Sequence, residues 1–238
     1  MLTLSQPRNG FRAGLDSVLL GASVPQGTKK LLDLGAGTGA AGLVALALNR
    51  ADSAVLAERD SQALALAQDN IASNGLAGRA EAVAVDVTAK ADLRRAAGLA
   101  DNGHDIVIAN PPFFAVGKGT LAKKADRADA RHMEAGELDL WMRCAASCAK
   151  AGGAAIVIYP SEGLTELLAA FATRFGAIAI LPLAPRPGAA ATRVLVRGMK
   201  GSRAPLTLLA TRFLHGPEGN GFAPQFDAIL RGKAAFDW

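Results

Sequence analysis

Between Lys30 and Ala109 the chain places four short, almost uninterrupted apolar runs, each followed by a segment with helical spacing. The runs are Lys30-Leu31-Leu32-Asp33-Leu34, Ala54–Ala57, Ala80–Val85 and 105–109. A strand with one wet face alternates apolar and polar residues, whereas a strand covered on both faces has no need to. Ile106-Val107-Ile108-Ala109 offers no polar position, so it calls for a helical layer on either side. Helices are expected over Ala40–Asn49, over Ser61–Asn74 with Asn74-Gly75 as its stop, around Leu93–Leu99, and over Leu138–Ala149. Parallel strands need such crossovers. A fifth strand, Ala154–Tyr159, follows Gly152-Gly153, and Ser161 is expected to cap a helix running to Phe175. There the rhythm breaks. Ala177–Leu183 and Arg193–Met199 are joined by the tight Ala184-Pro185-Arg186-Pro187-Gly188, too short for a crossover, so they pair antiparallel. The predicted fold is α/β, a doubly wound and mostly parallel seven-stranded sheet ending in an antiparallel hairpin.

A chain of 238 residues suits one elaborated domain. It divides into a leader (1–28) with a short helix at Leu15–Leu20 capped by Asp16 or Ser17, a core (29–200), and a tail (201–238) with a helix at Pro224–Leu230. With 50% hydrophobic and 5% aromatic residues, the core must be aliphatic. The net charge of +5 admits a polyanionic partner without requiring one. Cys144 and Cys148, four apart in a helical pattern, read as reduced, buried small hydrophobes. The first residues lack the apolar stretch of a signal peptide, and the longest apolar run, Ala40–Leu48, is too short to span a bilayer. A cytoplasmic protein with no membrane partner is expected.

The first strand runs into Asp33-Leu34-Gly35-Ala36-Gly37-Thr38-Gly39, which opens the first crossover helix. Glycines there admit positive φ and let a ligand approach backbone N–H groups at a helix N-terminus. A plain strand-to-helix turn needs one glycine; three in alternation point to binding. The turn alone leaves the ligand open. Gly35-x-Gly37-x-x-Ala40 also satisfies the dinucleotide fingerprint, and Glu58 ends the second strand where a ribose-binding acid belongs. Asp33 discriminates, because a carboxylate two residues before the first glycine repels a pyrophosphate and suits a cation. S-adenosylmethionine carries an ammonium and a sulfonium and no phosphate. Asp86, ending the third strand, falls beside the adenine in that reading, and a helix cap before Val87-Thr88 accounts for it equally well.

The fourth strand stops at Asn110-Pro111-Pro112-Phe113. Two prolines remove two backbone donors and force an extended path, and an isolated Asn-Pro pair would mean only a turn. In a doubly wound sheet, however, ligands bind outside the carboxyl ends of the strands, near the switch point. Gly35–Gly39, Glu58, Asp86 and Asn110 all fall at such ends.

With these motifs the sequence resembles the class I S-adenosylmethionine-dependent methyltransferases. Asp33–Gly39 is similar to their first motif, and Asn110–Phe113 to the Asn/Asp-Pro-Pro-Tyr/Phe motif of members that methylate planar amino groups. The resemblance implies S-adenosylmethionine as cofactor, with Asp33, Gly35, Gly37, Gly39, Glu58, Asp86 and Asn110 around it. It implies catalytic roles for Asn110, Pro111, Pro112 and Phe113. A conjugated amine is a poor nucleophile because its lone pair is delocalised. The Asn110 side-chain carbonyl and the Pro111 backbone carbonyl would each accept one N–H of the NH₂ group and favour its pyramidalisation. Phe113 would stack the flat acceptor, and no strong base is needed.

A longer resemblance covers the leader Asn9–Leu20, Glu58-Arg59, Asn70, Asn74, Arg131-His132 and Gly201-Ser202-Arg203. These residues are similar to the bacterial adenine methyltransferases that act next to the anticodon of a valine tRNA, which implies tRNA as the partner. Homologues of this kind also include proteins labelled O-methyltransferases. Lys118, Lys123, Lys124, Arg127 and Arg131 crowd the stretch after Phe113 against Asp126 and Asp129; a solvated loop is the default, and its place favours a lid touching phosphates. Arg12 and Asp16 fit a cofactor pocket no better than a surface cation and a helix cap. His104, His132 and His215 show no metal-ligand spacing, so no metal is expected. The function classes are an adenine methyltransferase acting on nucleic acid, a protein glutamine-amide methyltransferase, a small-molecule O-methyltransferase and, against Asp33, a nicotinamide-dependent oxidoreductase.

Overall fold

A computed structural model describes residues 2–7, 14–113, 136–219, 221–236 and 238. Seven strands form the body of the sheet: β1 (Thr28–Leu34), β2 (Ala51–Glu58), β3 (Ala80–Ala84), β4 (His104–Ala109), β5 (Ala149–Pro160), β6 (Phe175–Ala184) and β7 (Arg193–Lys200). They lie in the order β3-β2-β1-β4-β5-β7-β6. β1 to β5 are mutually parallel. β7 slots between β5 and β6 and runs antiparallel to both, as the short connection after β6 requires. Two further two-residue strands, β8 (Thr207–Leu208) and β9 (Arg212–Phe213), pair parallel with β6. The tail after Gly201 therefore extends the sheet edge beyond the seven expected strands.

The apolar runs are continuous because successive residues face different layers. Leu31, Ile106, Ile108, Ile156 and Ile158 point to one side. There they meet α1 (Leu15–Ala22), α2 (Ala40–Ala47), α3 (Ser61–Ser73) and α7 (Pro224–Leu230). Leu32, Leu34, Val107, Val157 and Tyr159 point to the other, against α5 (Glu137–Cys148) and α6 (Leu164–Phe171), with α4 (Ala91–Ala96) following β3. Burying a Leu, Ile or Val contributes about 1.5–3 kcal/mol, so the two aliphatic layers, rather than the few aromatics, carry the stability. Cys144 and Cys148 are buried and unpaired in α5. Among the described residues no helix is long and apolar enough to cross a membrane.

Three local expectations are corrected. Asp16 and Ser17 do not cap α1, whose N-cap is Gly14 with no side-chain bond; the Asp16 carboxylate instead accepts from Arg193 Nε at 2.9 Å. Ser161 starts a 3₁₀ turn, Ser161–Gly163, and its hydroxyl donates to the Ala191 carbonyl at 2.5 Å rather than capping a helix. The helix that follows stops at Phe171, short of Phe175, because side chains of Thr173 and Arg174 take the Ala170 carbonyl and Phe175 pairs with Lys200 as a strand. α3, by contrast, begins on a side-chain cap: Asp60 accepts from the Ala63 N–H at 2.8 Å.

Candidate active site

β1 and β4 are neighbours, and Leu34 pairs with Ala109. The glycine turn and Asn110 therefore leave the sheet side by side, one strand spacing of about 4.8 Å apart. On the other side Leu34 pairs with Ala57, which puts Glu58 next to the turn. Glu58 pairs with Ala84, and Asp86 follows two residues on. From β1 the chain winds outward through α2 and α3 on one face, and from β4 through α5 on the other. The β1–β4 pair is thus the switch point, where a doubly wound sheet opens a crevice. The expected residues of β1 to β4 share its rim.

Gly35, Gly37 and Gly39 all have positive φ, at 62°, 57° and 84°. Gly35 is required twice over, since a Cβ there would collide with the Trp141 ring of α5. Among the described residues, a Cβ on Gly37 would meet nothing within 4 Å. Side chains from three elements grip the backbone of this loop and of the helix it starts. Asp33 of β1 accepts from the Gly42 N–H at 2.8 Å, supplying the cap that Gly39 cannot. Glu58 of β2 accepts from the Gly37 N–H at 2.7 Å, and its other oxygen accepts from the Arg59 and Asp60 N–H groups, both at 2.8 Å. Asn70 of α3 donates to the Thr38 carbonyl at 3.0 Å.

These contacts reassign two carboxylates. Asp33 is 2% exposed and turned beneath the turn, so it shapes the site from behind. Burial pushes its carboxyl up to about 7, against the pull of the Gly42 N–H and with help from the nearby Glu58 charge. Asp86 neither caps a helix nor stands free. It closes a turn on Thr88, accepting from its amide at 2.8 Å and its hydroxyl at 2.6 Å, while Arg59 lies 3.6 Å away. Burial raises the Asp86 carboxyl, but Thr88 and Arg59 together outweigh that and hold it below the usual range.

Asn110 is half-buried, and among the described residues its side chain makes no hydrogen bond. Pro111 is buried behind it. The Phe113 ring stands edge-on to Tyr159, with centroids 5.4 Å apart at 86°, and Gly163 leaves room for both rings. Tyr159 is 5% exposed, and burial, then Glu166, pushes its hydroxyl up to about 12. It stays protonated at neutral pH. Sequence reasoning missed Tyr159 and Trp141. Tyr159, the chain's single tyrosine, at a strand's carboxyl end, was the available signal, whereas nothing local announced the Trp141–Gly35 contact. Arg12, Lys118, Lys123, Lys124, Arg127, Arg131 and His132 lie outside the described residues. Among the described residues no three His, Cys, Asp or Glu side chains gather in a metal-binding group.

The family model for the methyltransferase small domain matches residues 14–144, more than half the chain, including the glycine turn, Glu58, Asp86 and Asn110–Phe113. The chain belongs to this family. Its members are S-adenosylmethionine-dependent methyltransferases. A tRNA1(Val) (adenine(37)-N6)-methyltransferase of Escherichia coli O157:H7 is 30% identical over 170 residues, and the match covers 69% of this chain and 66% of that protein. A solved structure described as a predicted O-methyltransferase from Agrobacterium tumefaciens superposes with TM-score 0.77 at 32% identity, covering 93% of this chain and 98% of the other. A tRNA (m1A58) methyltransferase from Aquifex aeolicus shares the fold, with TM-score 0.56 and 15% identity over 83% of this chain and 72% of the other.

The inward carboxylate of Asp33 has a measurable signature. Its folded-state pKa lies above the unfolded value of 3.8, so between pH 4 and 7 the native state holds the proton more tightly and stability falls as pH rises. At about 1.4 kcal/mol per unit the full effect is about 4 kcal/mol. Asp33→Asn keeps an acceptor for Gly42 and cannot ionise. Melting temperatures measured from pH 4.5 to 8 are expected to fall in wild type relative to this variant, levelling off above pH 7; parallel curves would contradict the assignment.

Proposed function

We propose that this protein transfers the methyl group of S-adenosylmethionine to the exocyclic amine of an adenine in tRNA. The observation that carries the reading is the pairing of Leu34 with Ala109, which sets the cofactor turn beside Asn110-Pro111-Pro112-Phe113. The residues fit the cofactor. No described residue crowds Gly37, and Glu58, with three of its roughly four acceptor sites filled by backbone N–H groups, retains one for a ribose hydroxyl. The cofactor, when bound, supplies an electrophilic methyl on a sulfonium. The protein's part is to hold the amine in line. The Asn110 carbonyl and the Pro111 backbone carbonyl accept its two N–H groups, and Phe113, braced by Tyr159, takes the flat base against its ring. Aligned reactants alone can lower a barrier by roughly 7–11 kcal/mol.

An RNA acceptor is supported by the similarity to the tRNA1(Val) enzyme and by the charge of +5. It is also supported by the sheet's far edge. There β9 brings Arg212 and Phe213 level with Leu183 and Ala184, at the same rim, and the exposed Phe222 stacks on His215 at 4.8 Å. A loop nucleotide splayed into the Asn110 pocket could lay its neighbours along that edge. The match to the A. tumefaciens structure described as a predicted O-methyltransferase keeps a hydroxyl acceptor as the second reading.

Four experiments test this. Glu58→Ala is expected to weaken S-adenosylhomocysteine binding by about 1–3 kcal/mol in calorimetry, the cost of lost charge-assisted bonds; if wild type binds NADH and not this ligand, the cofactor reading fails. Asn110→Ala should lower turnover by orders of magnitude while cofactor affinity changes little, and near-normal turnover would refute the carbonyl pair. Total tRNA treated with enzyme and digested should yield N6-methyladenosine by mass spectrometry. Replacing Lys123 and Lys124 together should reduce the slope of log affinity against log salt by about 1 to 2. Label found only in protein, or on a catechol-like oxygen, would reject the RNA acceptor.

A further inference from the structure

The extended segment Leu2–Gln6 is fastened along α3 by two asparagines. Asn74 Oδ1 accepts from the Thr3 N–H at 2.9 Å, and its Nδ2 donates to the Thr3 carbonyl at 2.7 Å. Asn70 repeats the pattern on Ser5: Oδ1 accepts from its N–H at 2.7 Å and Nδ2 donates to its carbonyl at 3.0 Å. The registers match because two residues of extended chain span about 6.7 Å and four residues of helix about 6.0 Å. Each carboxamide thus plays the part of a neighbouring strand's peptide group. The ladder ends where the next pair would be Pro7, which has no N–H, and Leu66, which has no polar side chain. Leu2 and Leu4, on the alternate positions, pack against the core of that face.

Asn70 is fully buried, and the same Nδ2 that holds Ser5 also donates to Thr38 in the middle of the glycine turn. One carboxamide therefore ties the segment to the turn. The segment runs from Asn74 toward Asn70, that is, toward the helix end that follows Glu58 at the rim. Among the described residues, Gln6 Oε1 and Thr38 Oγ1 are buried without a hydrogen-bond partner.

We propose that residues 2–7 are a strap belonging to the cofactor site, and that Asn70 is a positioning residue coupling strap and turn. Fastening the strap fixes Asn70, which fixes the Thr38 carbonyl and with it the conformation that receives S-adenosylmethionine. Such coupling is reciprocal: whatever factor the strap adds to cofactor affinity, the cofactor adds to the fastening of the strap. The inference rests on the cofactor occupying the glycine turn, and wild-type binding tests that separately.

The discriminating variant is Asn74→Ala, which removes both bonds to Thr3 and the 2.8 Å bond from Asn74 Nδ2 to the Asn70 backbone carbonyl, but leaves the Asn70 side chain and the turn in place. Calorimetry with S-adenosylhomocysteine is expected to show its affinity lowered by about fivefold or more, within the usual range of coupling between sites. Asn70→Ala, losing the Thr38 bond as well, should lose more. In wild type, saturating S-adenosylhomocysteine should slow hydrogen exchange at the Thr3 and Ser5 amides by a similar factor. A merely structural role would lower the melting temperature of both variants without reducing the increment that the ligand adds to it. Unchanged affinity in Asn74→Ala, or ligand-independent exchange at Thr3 and Ser5, overturns the proposal. Wild type that fails to bind the ligand instead overturns the cofactor assignment.

Discussion

The carboxylate of Asp33, out of water and bonded to the N–H of Gly42, is the contact on which the site depends. α2 begins immediately after a turn whose last residue must have positive φ and lies close against Leu56, so Gly39 stands where a capping side chain would otherwise be. The first turn of a helix needs partners for its N–H groups. β1 provides one from below, nine residues away in sequence. Burying the carboxylate is costly, which is why its pKa rises to about 7, but the arrangement brings the cap from beneath the turn. A cation received at the turn would favour the ionised form. The acid that suggested a positively charged ligand lies beneath the turn, bonded to the Gly42 N–H.

The sheet order turns this local device into a site. Because β1 sits between β2 and β4, one strand end carries the turn and its neighbours carry Glu58 and Asn110. Placing β7 between β5 and β6 then brings Arg193 to the same rim, where it holds Asp16 and anchors α1. That ion pair is partly exposed and adds little stability by itself. What it contributes is placement, since it joins the start of α1 to the far half of the sheet.

Features legible in the sequence were those written locally. Apolar runs without polar interruption announced strands covered on both faces, three alternating glycines announced positive φ, and Asn74-Gly75 announced the end of α3 within a residue. What escaped were contacts between residues distant in the chain. Trp141 excludes any side chain at Gly35, Asn70 holds Ser5 from 65 positions away, and Arg193 removes Asp16 from the role of cap. Each of those residues had an ordinary local explanation, and only the fold supplied the other partner. The end of α6 failed for a related reason: Phe175 is apolar in either state, and its pairing with Lys200 made it a strand.

The protonation states around the rim bear on the choice between a nitrogen and an oxygen acceptor. Methylating a hydroxyl calls for a base that takes its proton as the bond forms, positioned within hydrogen-bond reach. Among the described residues the candidates are each otherwise engaged. Asp33 faces inward, and Glu58 accepts three backbone N–H groups. Asp86 is held by Thr88 and Arg59, which make it a weaker base, and Tyr159 is a buried phenol that does not ionise near neutrality. An exocyclic amine makes no such demand. Its lone pair attacks before any proton leaves, and the methylated nitrogen is acidic enough to release its proton to water. What the amine does need is a pair of acceptors that turn its lone pair out of conjugation. Asn110 and Pro111, at the head of a buried strand with Pro112 stiffening the exit, present carbonyls and no competing backbone donor from the prolines. These protonation states support the proposed amine acceptor over a hydroxyl.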